Sequence, residues 1–255
     1  MDDTERIKKL ITSGCPCISV VTYEEQYVLD VVRSAAMDLK IDMWIWSVAD
    51  GVRDGIGLLD DSPMVNNTES PEAGLNNLGG AKEGTICVTL DLGEYLKDAK
   101  NQRLLRNIIS KFEKTNRRLV MIDNKDNLPD VLRSYVKSFE ISCPDEQELR
   151  EIITDTLKRI HRKNPVDVGI TKKGLSAIVR NLRGLTRRQA REIISDAVSH
   201  DSKFDDEDIN VIIAGKRRMI QQGGLLEYIE TPLDLSEIGG MKQLKKWLKQ
   251  RENSF

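Results

Sequence analysis

The turn between the first apolar run and the helical pattern after it limits the chemistry of this sequence. Residues 17–22 (CISVVT) are mostly apolar and β-branched, and a helical pattern begins at residue 24. A triphosphate bound at such a turn needs glycines, whose backbone N–H groups can close on the phosphates, followed by Lys and Ser or Thr. The turn carries Glu24 and Glu25 instead, and no GxxxxGK[ST] motif occurs in the 255 residues. We expect no ordinary phosphate site, whether these carboxylates occupy the positive end of the helix dipole or are ordinary first-turn acids.

Strands and helices alternate through the first 143 residues. Apolar positions recur at helical spacing over residues 24–40 and 101–115. Short apolar or β-branched runs predict strands at 17–22, 43–48, 85–92 and 118–123, with 138–142 as a fifth candidate. This alternation predicts an α/β fold, a parallel sheet flanked by helices. Residues 50–84 are rich in Gly, Asn, Ser and Pro, so we predict a loop there, mobile from 60 to 84.

The pattern after Pro144 is helical. Amphipathic runs predict helices at 146–163, 172–182, 187–199 and 206–222. Asp145 and Thr171 stand where a side-chain oxygen can accept a hydrogen bond from a free N–H group of the first turn. The sequence therefore predicts a small all-helical subdomain after the α/β core.

Composition excludes several classes of function. The net charge is −2, which argues against a nucleic-acid-binding surface. No apolar stretch is long enough to span a membrane and no secretory signal precedes the first strand, so we expect a cytoplasmic protein. The histidines, His161 and His200, lack ligands at metal spacing, and we expect no metal site. The cysteines fit no zinc or disulfide pattern and are predicted to be buried, reduced thiols: Cys15, Cys17, Cys87 and Cys143.

Three segments resemble parts of AAA ATPases. Residues 118–133 (RLVMIDNKDNLPDVLR) resemble the sensor-1 strand and the helix after it. Residues 139–150 (FEISCPDEQELR) are similar to the last core strand and the first lid helix, and residues 182–190 (LRGLTRRQA) to the sensor-2 turn. Their order and spacing also agree with that family. The resemblance implies a P-loop NTPase or AAA-like core followed by a helical lid.

The resemblance assigns candidate roles to five residues. Asp91 matches the magnesium-binding aspartate at the end of the third strand, but the water-activating glutamate is displaced, since Glu94 comes two positions late. Asn124 matches sensor 1, and Arg187 or Arg188 matches the sensor-2 neighbourhood. Each also has a structural explanation: Asp91 as a strand-end turn residue, Asn124 as an Asx turn, and the arginines as a solvated helix start.

The tail resembles the beginning of another domain. Residues 235–248 (LSEIGGMKQLKKWL) are similar to the segment before the first strand of an intact AAA domain. The closest resemblance is to the chloroplast and cyanobacterial open-reading-frame AAA family, in which a degenerate AAA-like domain precedes a complete one. The implied organisation is a core without a phosphate loop at 1–143, a lid at 144–224, and a linker with the start of the next domain at 225–255.

The function implied is a non-catalytic module that serves assembly, regulation or client contact. This chain is then expected to bind no cofactor, while ATP and Mg²⁺ belong to the full-length protein. Implied partners are the following AAA domain, a homo-oligomeric ring and a protein client. The alternative is a residual ATP-binding protein whose atypical phosphate site uses the glycines at 51–57 or 79–80. The tail should also present a partly unpartnered apolar stripe formed by Ile238, Leu244, Trp247 and Leu248.

Overall fold

The computed structural model describes residues 2–57, 63–199 and 201–222, together with 243, 244 and 247. The chain divides into two compact units. The first comprises residues 1–143 with 186–188, and the second comprises 144–185 with the residues from 189 onward. Within the predicted tail stripe, Leu244 and Trp247 are 49% and 48% exposed. Ile238, Leu248 and His200 lie outside the described residues.

The first unit is built on a mostly parallel six-stranded sheet. The strands are β1 (Cys17–Val21), β2 (Met43–Ser47), β3 (Gly51–Asp54), β4 (Ile86–Leu90), β5 (Arg118–Asp123) and β6 (Lys137–Ser138). Their order across the sheet is β3-β2-β4-β5-β1-β6, and β3 alone of these pairs antiparallel to its neighbour. The predicted α/β class is confirmed, with an antiparallel edge strand added.

Helices cover both faces of this sheet, as its buried strands require. The helices of the first unit are α1 (Asp3–Thr12), α2 (Glu25–Leu39), α3 (Pro71–Gly79), α4 (Ala99–Glu113) and the short α5 (Asp130–Arg133). Alternate side chains of β5 point to opposite faces of the sheet. Val120 and Ile122 join a core cluster with α1 and α2, whereas Leu119 and Met121 join a second cluster with α3 and α4. Every residue of β5 is buried, including Asp123 at its carboxyl end.

The prediction of a loop over residues 50–84 is wrong in two places, where the structure has the strand β3 and the helix α3. Ser70 caps α3 by accepting a hydrogen bond from the Ala73 N–H group, and Pro71 occupies its first turn, a combination that favours helix initiation. The Trp46 indole N–H donates to the Thr68 carbonyl (2.7 Å). Gly74 packs against that ring, because a Cβ there would lie 2.0 Å from the indole nitrogen. Thr68, Leu75 and Leu78 of the segment predicted to be mobile are therefore buried in the packed core.

Two further elements of the first unit differ from the sequence prediction. Helix α1 was not predicted; the Asp2 carboxylate accepts from the Thr4 N–H group at its start, and Ile7 and Ile11 are buried. The last strand is Lys137–Ser138, earlier and shorter than the predicted 138–142, and it pairs with β1. Edge strands this short carry too little alternation to be located by pattern.

The second unit is helical, as predicted. It contains α6 (Glu146–His161), α7 (Lys172–Leu182), most of α8 (Arg187–Ser199) and α9 (Asp208–Gln222). Asp145 caps α6 and Thr171 caps α7, each accepting a hydrogen bond from an N–H group of the first turn. Two short strands, β7 (Asp167–Val168) and β8 (Lys203–Phe204), form a parallel pair that the sequence did not indicate.

Candidate functional site

The connection between β1 and α2 consists of Thr22, Tyr23 and Glu24. The Glu24 N–H group donates to the Thr22 hydroxyl (3.0 Å), and the Thr22 N–H group donates to the Asp123 carbonyl (2.8 Å). The turn is thus fastened to the end of β5. Its three residues, none of them glycine, form a shorter connection than the eight-residue phosphate-binding motif requires.

The Glu24 carboxylate at the start of α2 is paired with cationic and N–H donors. Arg187 Nη1 lies 3.4 Å from Glu24 Oε2, and these side chains are only 3% and 7% exposed. The Arg188 N–H group donates to Glu24 Oε1 (3.2 Å). Arg187 also donates to the Ser142 carbonyl (2.9 Å), and its guanidinium carbon lies 3.4 Å from the centroid of the Tyr27 ring. All of these residues belong to the first unit.

The explanation of Arg187 as a solvated helix start is therefore wrong. A guanidinium held by a carboxylate, a carbonyl and an aromatic face is a buried structural group. The adjacent Arg188 is exposed, so only its backbone takes part. The structure separates the two positions that the sensor-2 resemblance pointed to: the Arg187 side chain is buried, whereas Arg188 contributes its backbone N–H group.

A second group of carboxylates lies at the carboxyl ends of β4 and β5. Asp91 adopts a left-handed backbone conformation (φ 53°), and its N–H group donates to the Ile122 carbonyl (2.9 Å). Glu94 lies in a 3₁₀ turn over Leu92–Tyr95 and accepts from the Asn127 side-chain amide (2.8 Å). Asp91 serves as a strand-end turn residue, and Glu94 is part of the following turn.

Asp123 is the buried member of this carboxylate group. It is the last residue of β5, and its Oδ1 accepts from the Gly93 N–H group (2.7 Å). Burial raises the pKa of Asp123 to about 6 against the opposing effect of that hydrogen bond, and the charges of Asp91 and Glu94 raise it further. Sequence reasoning chose Asn124, which is exposed, although the buried strand already ended in an acidic residue.

Glu25 is an exposed residue of the first turn of α2, which agrees with its interpretation as an ordinary first-turn acid. Partial desolvation, and after it the negative charge of Asp91, raises the pKa of Glu25. The structure thus brings Glu25, Asp91 and Asp123 into one electrostatic neighbourhood. Within the described residues, no group of three or more His, Cys, Asp or Glu side chains is arranged to hold a metal ion.

Family comparisons match this architecture in two consecutive parts. Residues 3–141 match the model of the SpoVK-like AAA ATPase N-terminal domain, and residues 147–223 match the model of the second domain of the same proteins. The chain belongs to the SpoVK-like AAA ATPase family. The suspected resemblance to AAA ATPases is therefore confirmed.

Relatives of the AAA chain include AAA domain-containing proteins named ycf46. It is 22% identical over 263 residues to the AAA domain-containing protein ycf46 of Trieres chinensis, covering 96% of this chain and 48% of that protein. The ycf46 protein of Pyropia yezoensis is also 22% identical, over 256 residues, covering 100% of this chain and 50% of the relative. The chain spans about half the length of these curated relatives.

Solved AAA structures share the fold at low sequence identity. The FIGL-1 AAA domain superposes with a TM-score of 0.56 at 11% identity, covering 99% of this chain and 87% of that domain. The crystal structure of the same domain in complex with ADP gives 0.55 at 12% identity, covering 94% and 78%. AAA ATPases as a family use nucleotide and magnesium, whereas these two likenesses show the fold alone.

The remaining sequence candidates lie elsewhere in the AAA chain. Cys17 and Cys87 are buried, Cys15 is partly buried, and Cys143 is exposed, so the prediction of a buried thiol is wrong for Cys143. His161 accepts a hydrogen bond at Nδ1 from the Val166 N–H group (3.0 Å), which gives it a structural role. No helix within the described ranges is long and apolar enough to cross a membrane.

Proposed function

We propose that this chain is a non-catalytic module of a two-domain AAA ATPase, in which the following domain binds and hydrolyses ATP. The observation that carries the proposal is the buried ion pair between Glu24 and Arg187 at the start of α2. In a nucleotide-binding core that position offers its helix dipole and N–H groups to phosphate. Here a carboxylate of the chain is the anion, and an arginine from the sensor-2 neighbourhood is its counter-ion.

The residues present do not fit a nucleotide phosphate. A phosphate oxygen about 4 Å from the Glu24 carboxylate would be opposed by about 4 kcal/mol per pair of charges at an effective dielectric constant near 20, which the Arg187 guanidinium, already paired with Glu24, offsets only in part. Asp91 and Asp123 add negative charge at the neighbouring strand ends. No lysine follows the β1 turn to offset these charges, since α2 begins Glu25-Gln26-Tyr27.

The test is isothermal titration of the full chain with Mg-ATP. We expect a dissociation constant weaker than about 1 mM, equivalent to less than about 4 kcal/mol of binding. Thermal unfolding with and without about 1 mM Mg-ATP is an independent readout, because a micromolar ligand at that concentration would add about 4 kcal/mol of stability. Micromolar binding with turnover, abolished by Asp91→Ala, would instead establish the atypical phosphate site.

Association with the following AAA domain, assembly into a homo-oligomeric ring and contact with a protein client belong to the same proposal. They rest on the family and on the coverage of about half of the relatives' length. The natural reading frame provides the direct check. We expect a Gly-rich loop ending in Lys-Thr or Lys-Ser within about thirty residues after Phe255.

A further inference from the structure

The second unit carries an apolar groove of ≈ 510 Å³ between α6, α7 and the β7–β8 pair. Phe204 of β8 is fully buried, and Leu157 and Leu175 are partly buried where they line the groove. Val168 of β7 lines it too, yet 55% of this residue is exposed. A concave apolar surface of this size fits several side chains of a docked segment.

The rim of the groove is basic. Lys158 and His161 line it from the last turn of α6, and Arg162 lines it from the C-cap position that follows. The hydrogen bond from the Val166 N–H group to His161 Nδ1 holds that ring in place. An occupant that combines apolar side chains with carboxylates would complement both the floor and the rim.

One segment of this chain has that composition. Residues 225–238 (LLEYIETPLDLSEI) contain seven apolar side chains, counting Tyr228, and four carboxylates, with no lysine, arginine or histidine. The carboxylates are spread along the segment, at Glu227, Glu230, Asp234 and Glu237. Its apolar residues could therefore enter the groove while acidic neighbours face the rim.

The segment is tethered within reach of the groove. Helix α9, which precedes it, runs beside α7 in the same direction: the Thr171 hydroxyl donates to the Asp206 carboxylate before α9, and Lys216 Nζ donates to the Arg183 carbonyl at the end of α7. Since α7 has 11 residues and α9 continues six residues beyond Lys216, the groove near the start of α7 lies roughly 25 Å back from the end of α9. An extended segment of 14 residues spans up to about 45 Å.

We propose that residues 225–238 dock in this groove of their own molecule, with apolar side chains on Val168, Leu175 and Phe204 and with carboxylates beside Lys158 and Arg162. Tethering to the same chain raises the effective concentration of the segment at the groove, into the millimolar range for short linkers. The groove is then a built-in receptor for the chain that leaves α9. This inference concerns the second unit and is independent of nucleotide binding.

Disulfide trapping in the full chain tests the proposal. The background is Cys143→Ser, which removes the exposed thiol. Ser236→Cys, a near-isosteric change in the segment, is combined either with Val168→Cys in the groove or with the control Val211→Cys on α9. The two valines are 55% and 45% exposed, so their accessibility is matched. We expect the groove pair to form a disulfide within one chain at least tenfold faster than the control pair.

A second arm tests the charges. Lys158→Glu with Arg162→Glu, both exposed positions, should slow trapping of the groove pair several-fold, and Asp234→Lys with Glu237→Lys should restore it. Equal rates for the groove and control pairs would overturn the proposal. So would a product of twice the monomer mass, which would mean that a second copy occupies the groove. Trapping that is insensitive to the charge reversal would overturn the proposed role of the rim.

Discussion

Replacing Asp123 by asparagine should stabilise the protein at neutral pH. The Asp123 carboxyl has a pKa of about 6 against 3.8 for an ordinary aspartate, so the folded state holds its proton more tightly than the unfolded chain does. The stability of the folded state therefore falls as pH rises from about 4 to about 6, and it stays lower above that range. The difference between these pKa values corresponds to about 3 kcal/mol.

Asparagine keeps the hydrogen bond and removes the charge. The asparagine Oδ1 can still accept a hydrogen bond from the Gly93 N–H group. The negative charges of Asp91 and Glu94 raise the pKa of Asp123, so they favour a neutral side chain at position 123. We expect Asp123→Asn to increase the free energy of unfolding by about 1–3 kcal/mol at pH 7.5 and to change it little at pH 4.

Urea unfolding at a series of pH values between 4 and 8 measures this effect. Fluorescence of Trp44 and Trp46, both on β2, reports on the first unit when Trp247→Phe is present in both proteins. Asp196→Asn, at an exposed position on α8, is the matched control and should change stability by less than about 0.5 kcal/mol. A difference between Asp123→Asn and the parent that does not vary with pH would refute the assignment of a buried, proton-binding carboxyl.

Three other predictions follow from single contacts. Arg187→Met should lower the free energy of unfolding in urea by about 3–5 kcal/mol, because it leaves the Glu24 carboxylate buried without its counter-ion. Adding Glu24→Gln should recover much of that loss, and additive losses from the two substitutions would contradict the pairing. Gly74→Ala should destabilise by about 2 kcal/mol or more, since its methyl group would overlap the Trp46 ring, and an unchanged melting temperature would disprove this packing. Ellman's reagent should label Cys143 of the native protein within minutes and the buried thiols only on unfolding.

Local pattern was sufficient for the long elements and for the missing motif. The six buried residues of β5 are β-branched or apolar apart from the terminal Arg118 and Asp123, and the strand was predicted with its observed bounds. The bounds of α7 were also predicted correctly, because its apolar spacing is regular and Thr171 marks its start. The lack of a phosphate-loop sequence is likewise a property of the chain itself, and it did not require coordinates.

Helix α3 shows where local pattern was insufficient. Its glycines and asparagines suggested a loop. Gly74, however, is the position at which this helix contacts the ring of Trp46, a residue of β2. A residue chosen for close packing resembles a turn residue when only its own segment is considered. The contact that explains it joins two elements well separated along the chain.

The candidate site was decided by tertiary structure for the same reason. The sequence identified Glu24, Arg187 and Asp91 as separate candidates, each with a structural alternative. Their charges can be read from the sequence, but the sequence does not show which of them lie together. Only folding brings Arg187 across 163 positions of sequence onto Glu24, and only in the folded chain do burial and the neighbouring carboxylates raise the pKa of Asp123. The sequence gives the sign of each charge, whereas desolvation and pairing depend on which other residues surround that charge in the folded protein.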